Sequence, residues 1–194
     1  MSVNRQLSLL GAGASPPEPA DLAGLLLAGG EITRQGELAQ VSIVVHHPWR
    51  AAAIVAECAR RGLAATAVST VDEPIGVRTA YAEALGPLAR AWSDDLGRRP
   101  PRRLSLDGRV LRLWALAVGH REASAYVLAI AEPDQAFRDV VGAALAGMGI
   151  AAQLVSRRGS TGEMFRIVGR RRLDRLAEMV GDPPKQAPPD IWPS

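Results

Sequence analysis

The sequence predicts an α+β fold in which two similar halves each pack helices on one face of an antiparallel sheet. Three observations predict it. An order of helix, strands, helix, strand, strand, helix runs twice along the 194 residues. A Pro/Arg-rich break at Asp94–Arg103, with Pro100-Pro101 inside it, separates two stretches of similar size, which points to an internal repeat. The short strand-like runs follow one another as hairpins, and hairpins alternating with helices give helices segregated to one sheet face. The division read from this is a flexible leader at 1–19, a first repeat at 20–93, a linker at 94–106, a second repeat at 107–181 and a disordered Pro-rich tail at 182–194.

In the first repeat, Ala20–Ala28 is an apolar helix with Asp21 near its start, closed by Gly29-Gly30. Glu31–Arg34 and Gln40–Val45 flank Gln35-Gly36 as a hairpin, and Val41, Ile43 and Val45 give its second strand a buried side. Pro48 opens a helix over Trp49–Arg61, with Ile54 and Val55 on its apolar side and Gly62 as its stop. Leu63–Val71 and Pro74–Arg78 read as strands. Tyr81, Leu85, Leu88 and Trp92 fall at helical spacing, so Thr79–Trp92 is predicted helical.

In the second repeat, Asp107–Val118 is a helix with Val110, Leu111, Trp114 and Val118 on one face, closed by Gly119. Ala123–Ala131 is a strand. The first hairpin is shortened, with about four residues between Gly119 and that strand. Pro133–Met148 is a helix, Ile150–Arg157 and Glu163–Val168 form a hairpin, and Arg170–Val180 is the last helix.

Composition limits the chemistry. With 47% apolar and 22% charged residues, the chain can bury a core. A single cysteine, Cys58, excludes a disulfide framework and a thiolate zinc cluster, and three histidines leave little for a histidine metal site. No apolar run approaches the ~18–20 residues of a membrane span and no export signal is visible, so a soluble cytoplasmic protein is expected. Net charge is +3, but Gly97–Arg121 carries +6 and Arg157–Arg175 carries +5, leaving −8 on the rest. This segregation points to a face prepared for an anion, nucleic acid being the commonest large one. A solvated charge run gives the same pattern.

Leu22-Ala23-Gly24-Leu25-Leu26-Leu27-Ala28-Gly29-Gly30 resembles the signature of the LAGLIDADG homing endonuclease family, agreeing at seven of nine letters when Leu26 stands for Ile. Leu111–Gly119 occupies the equivalent place 89 residues later and keeps Leu111, Leu116, Ala117 and Gly119, with Leu113 where a small residue belongs. Within that superfamily the chain resembles the WhiA-type sporulation regulators. Leu111-Arg112, Leu27–Gly30 and the Ala152–Arg158 strand echo their helices and strands, and the Pro-rich tail leads to the expectation that their helix-turn-helix domain is absent. The resemblance covers roughly Asp21–Gly181. It implies two motif helices crossing at a pseudo-two-fold axis, with Ala23, Gly24, Leu27, Ala28 and Gly30 from one meeting Leu113, Leu116 and Ala117 from the other.

The resemblance also implies a saddle of strands lying along double-stranded DNA. The candidate contacts are Arg34, Gln40 and Ser42 in the first repeat and Arg121, Arg157 and Arg166 in the second, with Arg102, Arg103, Arg170, Arg171 and Arg172 on phosphates. Strand parity puts Arg166 outward, because Phe165 and Ile167 face the helices. The nucleases hold divalent metal with an acid at the eighth motif position, where this chain has Gly29 and Val118. Neither ligates, so no metal, no cofactor and no catalysis are expected. Glu31 and His120 follow the motifs, and one carboxylate with one imidazole makes a poor metal site. The expected protein is a monomeric, catalytically inactive DNA-binding regulator. A protein–protein interaction module on the same scaffold and an RNA-binding splicing-type factor are the alternatives.

Overall fold

The computed structural model describes residues 12–13, 15–69, 74–94, 97–98, 101, 103–131, 134–156, 162–188 and 190–193. A 3-10 turn at Pro19–Leu22 runs into α1 (Ala23–Leu27), followed by β1 (Glu31–Gln35), β2 (Leu38–Val45), α2 (Pro48–Arg60), β3 (Ala65–Val68) and β4 (Ile75–Thr79). A 3-10 turn at Glu83–Leu85 leads into α3 (Gly86–Trp92), and a short hairpin of β5 (Ser93–Asp94) and β6 (Gly97–Arg98) follows. The second half holds α4 (Gly108–Val118), β7 (His120–Glu122), β8 (Ala125–Ile130), α5 (Gln135–Gly147), β9 (Gln153–Ser156), β10 (Glu163–Val168) and α6 (Arg170–Val180). One antiparallel sheet has the order β1-β2-β4-β3 and the other β7-β8-β10-β9, so the same topology occurs twice. The α+β fold with two pseudo-symmetric repeats is therefore the observed one.

The local chemistry sets the boundaries. Asp107 caps α4, its carboxylate accepting from the backbone N–H groups of Arg109 (2.9 Å) and Val110 (3.0 Å). Asp134 caps α5 by accepting from Ala136 N–H. Thr79–Trp92 is not one helix. Thr79 ends β4, Ala82 bridges Ala39, and three residues, Thr79–Tyr81, oppose two, Gln40 and Val41. That bulge uses the Thr79 hydroxyl to accept from Val41 N–H at 3.0 Å. Pro87 stands in the first turn of α3, where a missing N–H costs nothing, so Gly86-Pro87 starts the helix.

The two halves join through α1 and α4. A Cβ on Gly24 would overlap the Val110 carbonyl oxygen and lie 2.9 Å from both Leu113 Cβ and Trp114 N. Gly24 thus makes the close crossing by itself, and the large Leu113 packs against it fully buried. Ala23, Leu27, Leu116 and Ala117 are buried in the same core, with Ala28 half-buried against it. Gly30 serves a different purpose from the one expected of it. A Cβ there would crowd Leu25 O and Ser42 O, both within the first repeat. The neighbouring Gly29 makes the cross-repeat approach, facing Ala131 with φ +96°, while Ala131 N–H donates to Leu27 O. Trp92 of the first half meets Phe137 of the second edge-to-face at 5.7 Å.

Charged groups also cross this junction. Arg61 donates to Asp21 at the start of the first motif helix and to Glu57, and Glu57 accepts from Arg112 of α4 at 2.7 Å. Arg112 donates onward to the carbonyls of Val180 and Asp182. The Pro-rich end is not free chain over its described residues. Trp192 is buried, donates its indole N–H to Gly181 O at 2.7 Å and lies 5.3 Å from the Arg112 guanidinium. The leader is tied down in the same way where it is described, by Ala12 N–H on Met179 O and by Arg109 on Pro16 O. No helix among the described residues is long and apolar enough to cross a membrane.

Candidate nucleic-acid interface

Residues directly opposite across an antiparallel ladder share a face, so register decides which side chains leave the helices and face outward. On β2, Ala39, Val41, Ile43 and Val45 are buried under the helices, and Leu38, Gln40, Ser42 and Val44 point the other way. Ser42 pairs with Glu31 and with Arg78, and Arg78 pairs with Thr66, so these four form one outward row. On β10, Phe165 and Ile167 are buried beneath the helices, and Arg166 faces outward beside Val127 and Gln153.

Register therefore puts Ser42 and Arg166 on the sheet faces that point away from the helices, where Arg166 is half-buried and its row neighbour Val127 is buried. Gln40 points that way too, but its amide nitrogen donates one hydrogen to Thr79 O at 2.8 Å, which leaves its second N–H and its oxygen for an outside partner. Arg34 is a correction: it pairs with Ala39, and that parity sends it to the helix side of an edge strand. Arg103 is a second correction. It lies at the N-terminal end of α4 with Asp21, Asp107 and Arg109, the end opposite the one from which β7 leaves. Arg121 shares the face of Tyr126, on the helix side, yet it is exposed and lines a concavity with Ser124, Gly169, Arg170 and Asp174. Arg170, Arg171 and Arg172 are exposed on the first turn of α6. Arg102 and Arg157 lie outside the described residues.

Two further arginines were not singled out from the sequence. Arg78 occupies in β4 the place that Arg166 occupies in β10, the third strand of each sheet order. Neither guanidinium pairs with a carboxylate among the described residues. Inward-facing Val77 would have revealed Arg78, had β4 been recognised as a central strand. Arg50 is buried at the start of α2 and donates to Ala115 O, Leu116 O (2.6 Å) and Gly119 O (2.6 Å), closing the C-terminus of α4 with a cation. Burial lowers its pKa. Nothing in the local sequence marks a partner 65 residues away.

Much of the arginine surplus is thus internal. Arg50, Arg61, Arg109 and Arg112 hold the repeats together, so part of the +6 stretch never reaches a ligand. At the ends of the motif helices, Glu31 lines an open-face concavity with Ser42 and Arg78, whereas His120 contacts Glu122 at 3.3 Å. Among the described residues no group of three or more His, Cys, Asp or Glu side chains is placed to hold a metal.

Two crossing motif helices, each leading into a four-stranded sheet of the same strand order, define a LAGLIDADG fold. Among solved structures the chain is similar to the homing endonuclease I-WcaI bound to its DNA recognition sequence, with TM-score 0.64 and 11% identity over 86% of this chain and 81% of that one. It is similar to the N-terminal LAGLIDADG domain of DUF199/WhiA, with TM-score 0.59 and 12% identity over 86% and 83%. Full-length DUF199/WhiA from Thermatoga maritima aligns with TM-score 0.60 and 11% identity over 95% of this chain and 63% of that one. Scanned against family models and against curated proteins, the sequence gives no match.

If the first turn of α6 meets phosphates, each contact releases counterions. Replacing Arg170 and Arg171 by serine then reduces the slope of log affinity against log salt by about 2 for a mixed duplex, read by fluorescence anisotropy.

Proposed function

We propose that this chain is a catalytically inactive LAGLIDADG-like protein that binds double-stranded DNA across the open faces of its two sheets and acts as a regulator. The observation that carries this reading is the pair Arg78 and Arg166, outward-facing on corresponding strands of the two repeats. Arginine suits such a position because its planar fork can engage a guanine edge or a phosphate with two hydrogen bonds. A solved neighbour of the same fold is bound to its DNA recognition sequence, which supports the same use of this scaffold.

Inactivity rests on the helix ends. Metal-assisted strand cleavage needs carboxylates that fix ions beside the attacking and leaving oxygens. Gly29 and Val118 stand at the motif positions that would supply them, and Gly29 is pressed against Ala131 with no room for a side chain. The cation of Arg50 is already seated on the last carbonyls of α4.

The test replaces both arginines. Arg78→Glu with Arg166→Glu lowers duplex affinity by about a hundredfold or more, from two lost contacts of about 1–3 kcal/mol each plus repulsion, while the melting curve stays that of the parent. The parent chain incubated with duplex and magnesium leaves both strands intact. Unchanged affinity in the double variant overturns the site, and cleavage overturns inactivity.

A further inference from the structure

The four large apolar side chains that are exposed among the described residues are Leu38, Val44, Val68 and Tyr81. Val44 and Val68 are the most exposed, at 61% and 67%, and register brings them together: each pairs with Gly76, from opposite sides of β4. The row Val44–Gly76–Val68 thus has two isopropyl walls about 10 Å apart, measured as two strand spacings, and a floor without a side chain. It lines a concavity of 490 Å³ on the open face, together with Ser42, Thr66, Arg78 and Glu31.

The next row, two residues along the strands and so about 6.7 Å away, is Glu31–Ser42–Arg78–Thr66. Every member of it can donate or accept a hydrogen bond. Stacked base pairs are about 3.4 Å apart, so the two rows are spaced like base pairs two steps apart. A protein-binding core would bring contiguous apolar area and aromatic anchors, and this face instead sets one pair of valines against a polar row. The second sheet has no such slot. The residues at its open-face positions Ala125, Val127 and Met164 are buried.

On the reading that the open faces meet duplex DNA, we propose that the first sheet reads sequence in the major groove through this notch: Val44 and Val68 seat the 5-methyl group of thymine, about two base pairs from a guanine held by Arg78. Among the bases only thymine presents a methyl group in that groove, and arginine pairs with the O6 and N7 edge of guanine. Glu31, at the end of the same row, can accept from the amino group of a cytosine. Because the second sheet lacks the notch, the methyl preference is confined to one half of the site.

The test begins by enriching tight-binding duplexes from a random-sequence pool on the full chain. The enriched duplex is then remade with uracil for thymine, which removes only the methyl groups. Uracil weakens binding about fourfold for each seated methyl, at thymines in one half of the enriched sequence. Val44→Ser with Val68→Ser, both surface changes checked by melting, erases the difference between the two duplexes. Equal affinity for thymine and uracil duplexes overturns the notch while leaving DNA binding in place, as does binding without any enriched sequence. No duplex binding at all overturns the DNA reading itself, and the notch with it.

Discussion

Gly24→Ala lowers the stability of the folded chain by about 3 kcal/mol, which moves the thermal midpoint down by roughly 6–12 °C. The added methyl has nowhere to go. It would overlap the Val110 carbonyl and crowd the Trp114 amide, and both belong to the backbone of a regular helix that cannot bend aside locally. α1 must move bodily away from α4, and the contact between Gly29 and Ala131 and the Ala131 hydrogen bond to Leu27 loosen with it. Gly147→Ala is the contrasting case. A Cβ at the end of α5 meets nothing within 4 Å, so the change is neutral or stabilises by up to about 1 kcal/mol. Differential scanning calorimetry of the two variants separates a helix-crossing effect from a general intolerance of glycine replacement.

Glu57→Ala has a loss of similar size, about 3–5 kcal/mol, for a different reason. Glu57 is buried between Arg61, whose side chain is 1% exposed, and Arg112. Removing it leaves two guanidinium groups facing one another across a junction closed to water, with only Asp21 left to balance Arg61. Adding Arg112→Met to Glu57→Ala therefore recovers part of the loss, which a pure packing defect would not allow. The pH dependence follows from the same contacts. Burial pushes the Glu57 carboxyl up, but hydrogen bonds and charge from Arg112 and Arg61 outweigh it and hold its pKa below the ordinary 4.5. A depressed folded value adds stability above about pH 4.5 that disappears as pH falls through the folded pKa. Asp21 acts with the opposite sign. Burial raises its pKa despite a backbone hydrogen bond from Glu18 and the charges of Arg61 and Arg109, so its contribution falls as pH rises above 3.8. Urea titrations at successive pH values show a shallower loss of stability below pH 4.5 in Glu57→Gln than in the parent.

What the sequence disclosed was whatever is encoded locally. The two motif helices and the parity of Phe165, Arg166 and Ile167 are patterns of neighbouring residues, and each stands in the structure where it was read, with Asp107 capping the second motif helix instead of lying inside it. Arg170–Val180 matches to the residue. The stretch from Thr79 to Trp92 misled because Leu85, Leu88 and Trp92 do line one helical face, while Tyr81 shares their spacing by accident and precedes a bulge. Charge was the least legible property. An arginine held by Ala115 O or by Asp21 looks, in sequence, identical to one that awaits a phosphate. Trp192 likewise gave no sign that a Pro-rich end would carry a buried anchor, since its pocket is made by Arg112 and Gly181.

The measurement that bears most directly on the proposed DNA-binding role is the affinity of the full chain for a mixed-sequence duplex at about 50 mM and about 200 mM salt. With four or five arginine–phosphate contacts, affinity falls by about a hundredfold or more between those conditions. An affinity that is absent at low salt, or that stays level across the range, contradicts the account.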